Sequence, residues 1–284
     1  MAERSARGAR RSRGRCSSQK FIRGRRLAAE LVRDAGITHE DTVVDIGAGE
    51  GALTGELAQA ARHVYAVELD ARLAQRLRER FSTRRAIEVV EADFVEWPLP
   101  REAFKAVANI PFDRTNAILR HLLDDPGTPL RRADVVVEWG AALKRATVWP
   151  GTLLGVRWGV FYTFSVSRRL PRRSFQPAPS VDAGVLTVER RPLPLVPEQH
   201  CEAFATFVSA GFEAADRELR TTLAPFVSAR QLKRMLDELG VPRSARARDL
   251  DVHGWARLFV RSWSPPSGRR ATVRSNEGPF NSVQ

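Results

Sequence analysis

Apolar residues recur at two spacings along this chain, and the mixture of the two ends near residue 192. Up to that point short apolar runs alternate with segments of helical periodicity. The runs at 42–46, 64–68, 86–90, 104–108 and 134–137 are brief and rich in valine, isoleucine and alanine, which predicts strands. The spacing between them predicts helices over 27–35, 52–60 and 71–80, and a further one starting near Thr115. Strands alternating with helices predict an α/β fold with a doubly wound, parallel sheet, because parallel neighbours need a crossover. The runs 160–166 and 183–188 have no helical pattern between them, so they read as an antiparallel pair at the sheet edge. A Pro- and Arg-rich loop over 168–180 would join them. After Arg191-Pro192-Leu193-Pro194-Leu195 only helices are predicted, over 198–211, 229–239 and 254–263.

This pattern divides the chain into an α/β domain over 19–191 and a small C-terminal α-helical domain over 192–263. Residues 1–18 are rich in Arg, Gly and Ser and too poor in apolar side chains to offset the entropy of ordering, so a disordered basic arm is expected there. By the same reasoning 264–284 is expected to be a flexible tail. The net charge of +13 is unevenly spread: residues 1–26 alone hold nine Arg and one Lys against Glu3. Such an arm suits a phosphate backbone, whose neutralisation releases counterions. Cys16 and Cys201 are too few for a disulfide framework or a zinc site, and no metal is expected. No apolar run has the length of a membrane span, and Arg10-Arg11 is not followed by the apolar segment of an export signal. A cytoplasmic monomer is therefore the expectation.

The chemistry centres on Asn109-Ile110-Pro111-Phe112, where the fourth strand ends. Pro111 biases Ile110 away from α, so this turn is expected to present the Asn109 side-chain oxygen and neighbouring carbonyls to a crevice. Beside an aromatic ring, such acceptors suit an exocyclic amine on a flat base. Hydrogen bonds that favour a pyramidal nitrogen would restore its lone pair, which stabilises a transition state.

A second turn, Gly47-Ala48-Gly49-Glu50-Gly51, lies between the first strand and its helix. With Ala52 it also fits the dinucleotide pattern G-x-G-x-x-A. Asp45, two residues ahead, would repel a pyrophosphate and favour a cationic ligand such as the sulfonium of S-adenosylmethionine. Glu68 ends the second strand, placed to take ribose hydroxyls, and Asp93 follows the third, placed to accept an adenine amine while Phe94 packs nearby.

Taken in order, Gln19-Lys20-Phe21-Ile22, Asp45 to Gly51, Glu68-Leu69-Asp70, Glu91-Ala92-Asp93-Phe94 and Asn109 to Phe112 resemble the ribosomal RNA adenine N6-methyltransferases. Val137-Glu138-Trp139 leading to Lys144-Arg145, and the segment from Arg173 to Ala183, are most similar to the Erm enzymes of macrolide, lincosamide and streptogramin B resistance. The resemblance implies a Rossmann-like class I S-adenosylmethionine-dependent methyltransferase sheet with a helical RNA-binding domain. It also implies methylation of one adenine in the peptidyl-transferase loop of 23S rRNA. By the same resemblance Gln19, Lys20 and Ile22 border the methionine end of the cofactor, and Gly47 and Gly49 line its turn. Glu68 holds the ribose, Asp93 the adenine, and Asn109 touches both cofactor and target. Where the family usually has asparagine, this chain has Lys20. Arg114, Lys144, Arg145, Arg168, Arg169, Arg172 and Arg173 are candidates for gripping RNA, and Trp139 for flanking an extruded base. The same residue types also suit a KsgA-type small-subunit enzyme, a DNA adenine methyltransferase, or an RNA-binding module without catalysis.

Overall fold

A computed structural model describes residues 20–146 and 151–263. The arm over 1–18, Gln19 and the tail over 264–284 lie outside the described residues. The chain opens with the short β1 (Phe21–Ile22) and α1 (Arg25–Asp34), then alternates β2 (Thr42–Ile46), α2 (Ala52–Ala60), β3 (His63–Glu68), α3 (Ala71–Arg80) and β4 (Ile87–Glu91). It continues through β5 (Phe104–Asn109), α4 (Thr115–Leu123), β6 (Leu130–Glu138), α5 (Trp139–Ala146), α6 (Leu153–Gly159), β7 (Tyr162–Leu170), β8 (Phe175–Gln176) and β9 (Ala183–Arg190). The helices α7 (Cys201–Glu213), α8 (Leu219–Thr222), α9 (Ala229–Leu239) and α10 (Val252–Ser262) follow.

Seven strands form one sheet in the order β4-β3-β2-β5-β6-β9-β7. The first five run parallel, and β9 is antiparallel to both β6 and β7. The order reverses between β2 and β5. Ligands of open α/β sheets bind at such a switch point, outside the carboxyl ends of the strands. β2 and β5 are parallel neighbours, so the glycine turn after Ile46 and the asparagine turn after Ala108 lie at the same edge. β1 pairs with β8, Phe21 opposite Gln176 and Ile22 opposite Phe175, which brings Lys20 back to that edge.

Several expectations change. The segment 168–180 is not all loop: Arg168 and Arg169 belong to β7, where every second position faces outward and tolerates charge. The run expected to begin a strand at 160 is preceded by α6, and Val160 and Phe161 form the buried turn between them. α5 and α6 are helices that the apolar spacing did not reveal.

One apolar cluster runs from the sheet (Val44, Ala106, Val135) into the last helices (Phe204, Phe207, Trp255, Phe259). The helical region is therefore cemented to the α/β region by a shared core. Its tightest point is Gly211 in α7, where a Cβ would fall inside the fully buried Trp255 ring. Gly211→Ala is expected to lower stability by about 1–3 kcal/mol despite the better helix propensity of alanine. A thermal melt unchanged from wild type would show that the indole moves aside freely.

Candidate functional site

The glycine turn is shaped by backbone bonds. Gly47 and Ala48 both donate to the Val67 carbonyl, at 2.8 and 3.1 Å, and Gly51 donates to Ala48 at 2.9 Å. Gly49 N donates to Glu68 Oε2 at 2.8 Å. These four amides are spent within the protein, so they have no hydrogens to offer a pyrophosphate. That makes the turn a poorer phosphate cradle than the dinucleotide reading requires. Gly47 has φ +71° and nothing within 4 Å of where a Cβ would stand, so a ligand can lie directly on its backbone.

The carboxylates divide into two kinds. Asp45 was expected on an acidic rim, yet it is 1% exposed and turned into the protein, where Thr54 Oγ1 donates to it at 2.6 Å. Burial, with Glu68 adding to it, lifts its pKa from 3.8 to about 7. Asp45 thus braces α2 behind the turn. Glu68 is also buried, and its second oxygen accepts from Asp70 N at 2.8 Å. It clamps the glycine turn to the start of α3, and its remaining lone pairs are what it can offer a ribose. Asp93 is partly exposed and receives the Arg114 guanidinium at 3.0 and 2.8 Å. Arg114, expected at RNA, thereby sits on the carboxylate expected at adenine. Phe94, expected beside the cofactor, is buried in the core, edge-on to His121 at 5.1 Å. The exposed apolar side chain at this edge is Leu69, 44% exposed between Glu68 and Asp70. Sequence reading quoted it in Glu68-Leu69-Asp70 without giving it a role.

Asn109 is half-buried, and its Nδ2 donates to the Lys20 carbonyl. The contact uses the backbone of residue 20, which lysine supplies as well as asparagine does. With Nδ2 engaged, Oδ1 remains as an acceptor. Of the neighbouring carbonyls, Pro111 O accepts from Arg114 N at 3.0 Å and Phe112 O from Thr115 Oγ1 at 2.9 Å. Both turn inward. Ile110 is buried, and its carbonyl has no backbone partner among the described residues. Asn109 Oδ1 and Ile110 O therefore remain as acceptors for a ligand. Ile22 places its side chain in the apolar cluster beneath α1 and its backbone against Phe175.

Phe112 lines a cleft of about 760 Å³ between α4, α5 and α6 on one side and the start of α10 on the other. Arg120, Lys144, Arg145, Trp158 and His253 also line it. Arg145 donates to Asn116 Oδ1 and lies 5.5 Å over the Trp158 ring, whose Nε1 donates to Asp124 at 2.8 Å. Trp139, expected to flank a base, is on the far side of α5, under Arg169 at 5.0 Å and against Gly184. Besides Phe112, Trp158 lines the cleft together with Tyr162 and Phe164, and sequence reading could not place Trp158 because α6 was not foreseen. Arg168 bridges Glu30 at 2.7 Å and Asp34 at 2.9 Å, tying β7 to α1, and Arg169 pairs with Asp182 at 2.9 Å. Arg172 and Arg173 lie on an exposed turn after β7, where Arg172 N donates to Asp182 at 2.9 Å.

The residues at the sheet edge fit S-adenosylmethionine better than a phosphate ligand. The turn offers an open backbone at Gly47 with four of its amides already engaged, and acceptors stand at Glu68, Asp93 and Asn109. Leu69 offers an apolar surface for a purine. Among the described residues no group of His, Cys, Asp and Glu could hold a metal ion, and no helix is long and apolar enough to cross a membrane.

The comparisons agree with this geometry. The sequence model described as Ribosomal RNA adenine dimethylase matches residues 12–262. The mycinamicin-resistance protein MyrB of Micromonospora griseorubida is 30% identical over 271 residues, covering 93% of this chain and 86% of that protein. The ribosomal RNA small subunit methyltransferase A of Acaryochloris marina is 31% identical over 256 residues, covering 85% of this chain and 94% of that protein. The crystal structure of the 23S rRNA methyltransferase ErmE superposes with a TM-score of 0.75 at 32% identity, covering 85% of this chain and 98% of that one. With its switch-point crevice and most of its length accounted for in this way, the chain belongs to the ribosomal RNA adenine dimethylase family and is an rRNA adenine methyltransferase.

Proposed function

We propose that the chain transfers methyl groups from S-adenosylmethionine to N6 of one adenine in the peptidyl-transferase loop of 23S rRNA, conferring macrolide, lincosamide and streptogramin B resistance. The observation that carries this reading is the adjacency of two turns. The open backbone at Gly47 and the acceptors of Asn109 and Ile110 end neighbouring parallel strands, β2 and β5. Phe112 leads from them into a cleft large enough for a nucleotide.

When bound, S-adenosylmethionine supplies an electrophilic methyl group. Gly47, Glu68, Leu69 and Asp93 would hold it, and Asn109 would stand between it and the target. Asn109 Oδ1 and Ile110 O accept the two N6 hydrogens, which favours a pyramidal amine with its lone pair localised for attack. The adenine has to leave its stack to arrive there, and the Phe112 ring replaces part of that stacking. The methylated nitrogen then loses its proton to water or to a nearby carbonyl. No side chain needs to act as a general base. Orientation by the two acceptors and the aromatic ring supplies much of the acceleration.

The large-subunit target draws support from the likeness to ErmE and MyrB and from the segment 137–145. A second reading, the small-subunit RNA, is favoured by the likeness to the Acaryochloris marina enzyme over nearly its whole length. Incubation with labelled S-adenosylmethionine and each protein-free ribosomal RNA, followed by primer extension, separates them. A single modified adenine in the large-subunit RNA is expected. Label confined to the small-subunit RNA would overturn the proposal in favour of the second reading.

A further inference from the structure

We propose that Arg191, in the connection from β9 to the helical region, is an RNA-phosphate contact in the cleft that also holds Arg145. The inference rests on the methyltransferase reading above and adds to it a residue outside the sheet and outside the arginine clusters legible in the sequence.

Among the described residues, most arginines drawn in from solvent are drawn in by carboxylates. Arg132 sits on Asp134 and Glu189, Arg168 on Glu30 and Asp34, Arg190 on Glu198, and Arg114 on Asp93. Arg191 is different. It lines the cleft that holds Phe112 and Arg145, and it is only partly exposed. Its Nε donates to the Gly159 carbonyl at 2.8 Å, and its backbone N donates to the Phe161 carbonyl at 2.8 Å. No carboxylate lies within ion-pair distance among the described residues. The guanidinium is thus oriented by a neutral carbonyl and retains its full charge and most of its donors. Burial pulls its pKa below the usual arginine value, the mark of a cation that has lost water without gaining an anion.

Arg145 is in the same condition in the same cleft. It is held by Asn116 and the Trp158 face, and its pKa is lowered by burial and by Arg120. Two desolvated guanidinium groups, each fixed by neutral partners, line one cavity beside the acceptor turn. A ligand that brings anionic charge close to a flat base is what such a cavity takes, and a polynucleotide backbone carrying an extruded adenine has that form. Arg191 belongs to the connection that leads from the sheet into α7, with Leu195 N bonded to Val160 O at 2.9 Å. A phosphate gripped there would fix the RNA against both halves of the molecule.

The test is binding of a large-subunit RNA fragment by Arg191→Gln and Arg191→Lys across a salt series, together with methyl transfer. Arg191→Gln is expected to weaken RNA binding several-fold. It should also reduce the slope of log affinity against log salt by about 0.7–0.9, one phosphate contact. KM for RNA should rise with kcat and S-adenosylmethionine affinity nearly unchanged. Arg191→Lys keeps the charge but not the Gly159 bond, and it should recover most of the affinity and the slope. A wild-type slope in a folded Arg191→Gln protein would overturn the proposal. So would an Arg191→Lys protein as impaired as Arg191→Gln, which would make the Gly159 bond the residue's whole role. If wild type itself methylates neither ribosomal RNA, the functional reading fails. If wild type methylates and Arg191 variants bind normally, only this inference fails.

Discussion

Replacing Asn109 with alanine is expected to reduce the rate of methyl transfer by about 10²–10³-fold or more, the scale for removing one preorganised partner of a transition state. Affinity for S-adenosylmethionine should stay within about tenfold, or 1.4 kcal/mol. The asymmetry follows from what Asn109 does at each end of its side chain. Nδ2 ties the β5 terminus to the Lys20 carbonyl, and Oδ1 is left for the target amine. The first contact positions and the second acts on the reacting nitrogen. A useful contrast is Asn109→Asp, which keeps an acceptor while losing the donor to Lys20. It should retain more cofactor affinity than transfer rate. Single-turnover methylation and calorimetric titration of the cofactor separate the two effects. Near-wild-type turnover by Asn109→Ala would remove Asn109 from the chemistry.

The second large effect concerns stability. The folded-state pKa of Asp45, about 7, lies above its ordinary value of 3.8, so the native protein holds this proton more tightly than the unfolded chain. The stability linked to it is complete below about pH 4 and has been lost once pH rises through about 7. The groups acting on it are the Thr54 hydroxyl, which donates to it, and the Glu68 carboxylate, which repels its charge. Asp45→Asn keeps the shape and the acceptor for Thr54 and has no proton to lose. The variant is therefore expected to gain on wild type as pH rises, by on the order of 2–4 kcal/mol between pH 4 and pH 8.5. Denaturant melts of both proteins at the two pH values measure it. A difference that does not change with pH would place the Asp45 charge in solvent or beside a cation.

How much of this was legible in the sequence depended on whether a residue's role is set locally. The strands ending at Glu68 and Asn109 were readable because an apolar run followed by a polar residue marks a strand's carboxyl end, and the parallel sheet then gathers those ends at one edge. Asp45 was misjudged because its position in β2 says that it lies at that edge, while its direction depends on α2 arriving with Thr54 to receive it. The packing of Phe94 was hidden for the same reason, since α4 brings His121 against it. Arg168 and Arg169 looked like a basic loop, because an edge strand facing solvent on alternate positions carries the same composition as a loop. The cleft wall formed by Trp158, Arg191 and His253 could not be read at all. Its members are up to 95 residues apart and meet only because the core of α6, α7 and α10 is continuous with the sheet.

The central claim is that one crevice, at the carboxyl ends of β2 to β5, presents a methyl donor to Asn109. A crystal structure with S-adenosylhomocysteine tests it most directly. The expected result is the purine against Leu69 and Asp93, the ribose at Glu68, the chain over Gly47, and the sulfur facing Asn109. A ligand bound elsewhere, or one whose sulfur faces away from Asn109, would contradict the account.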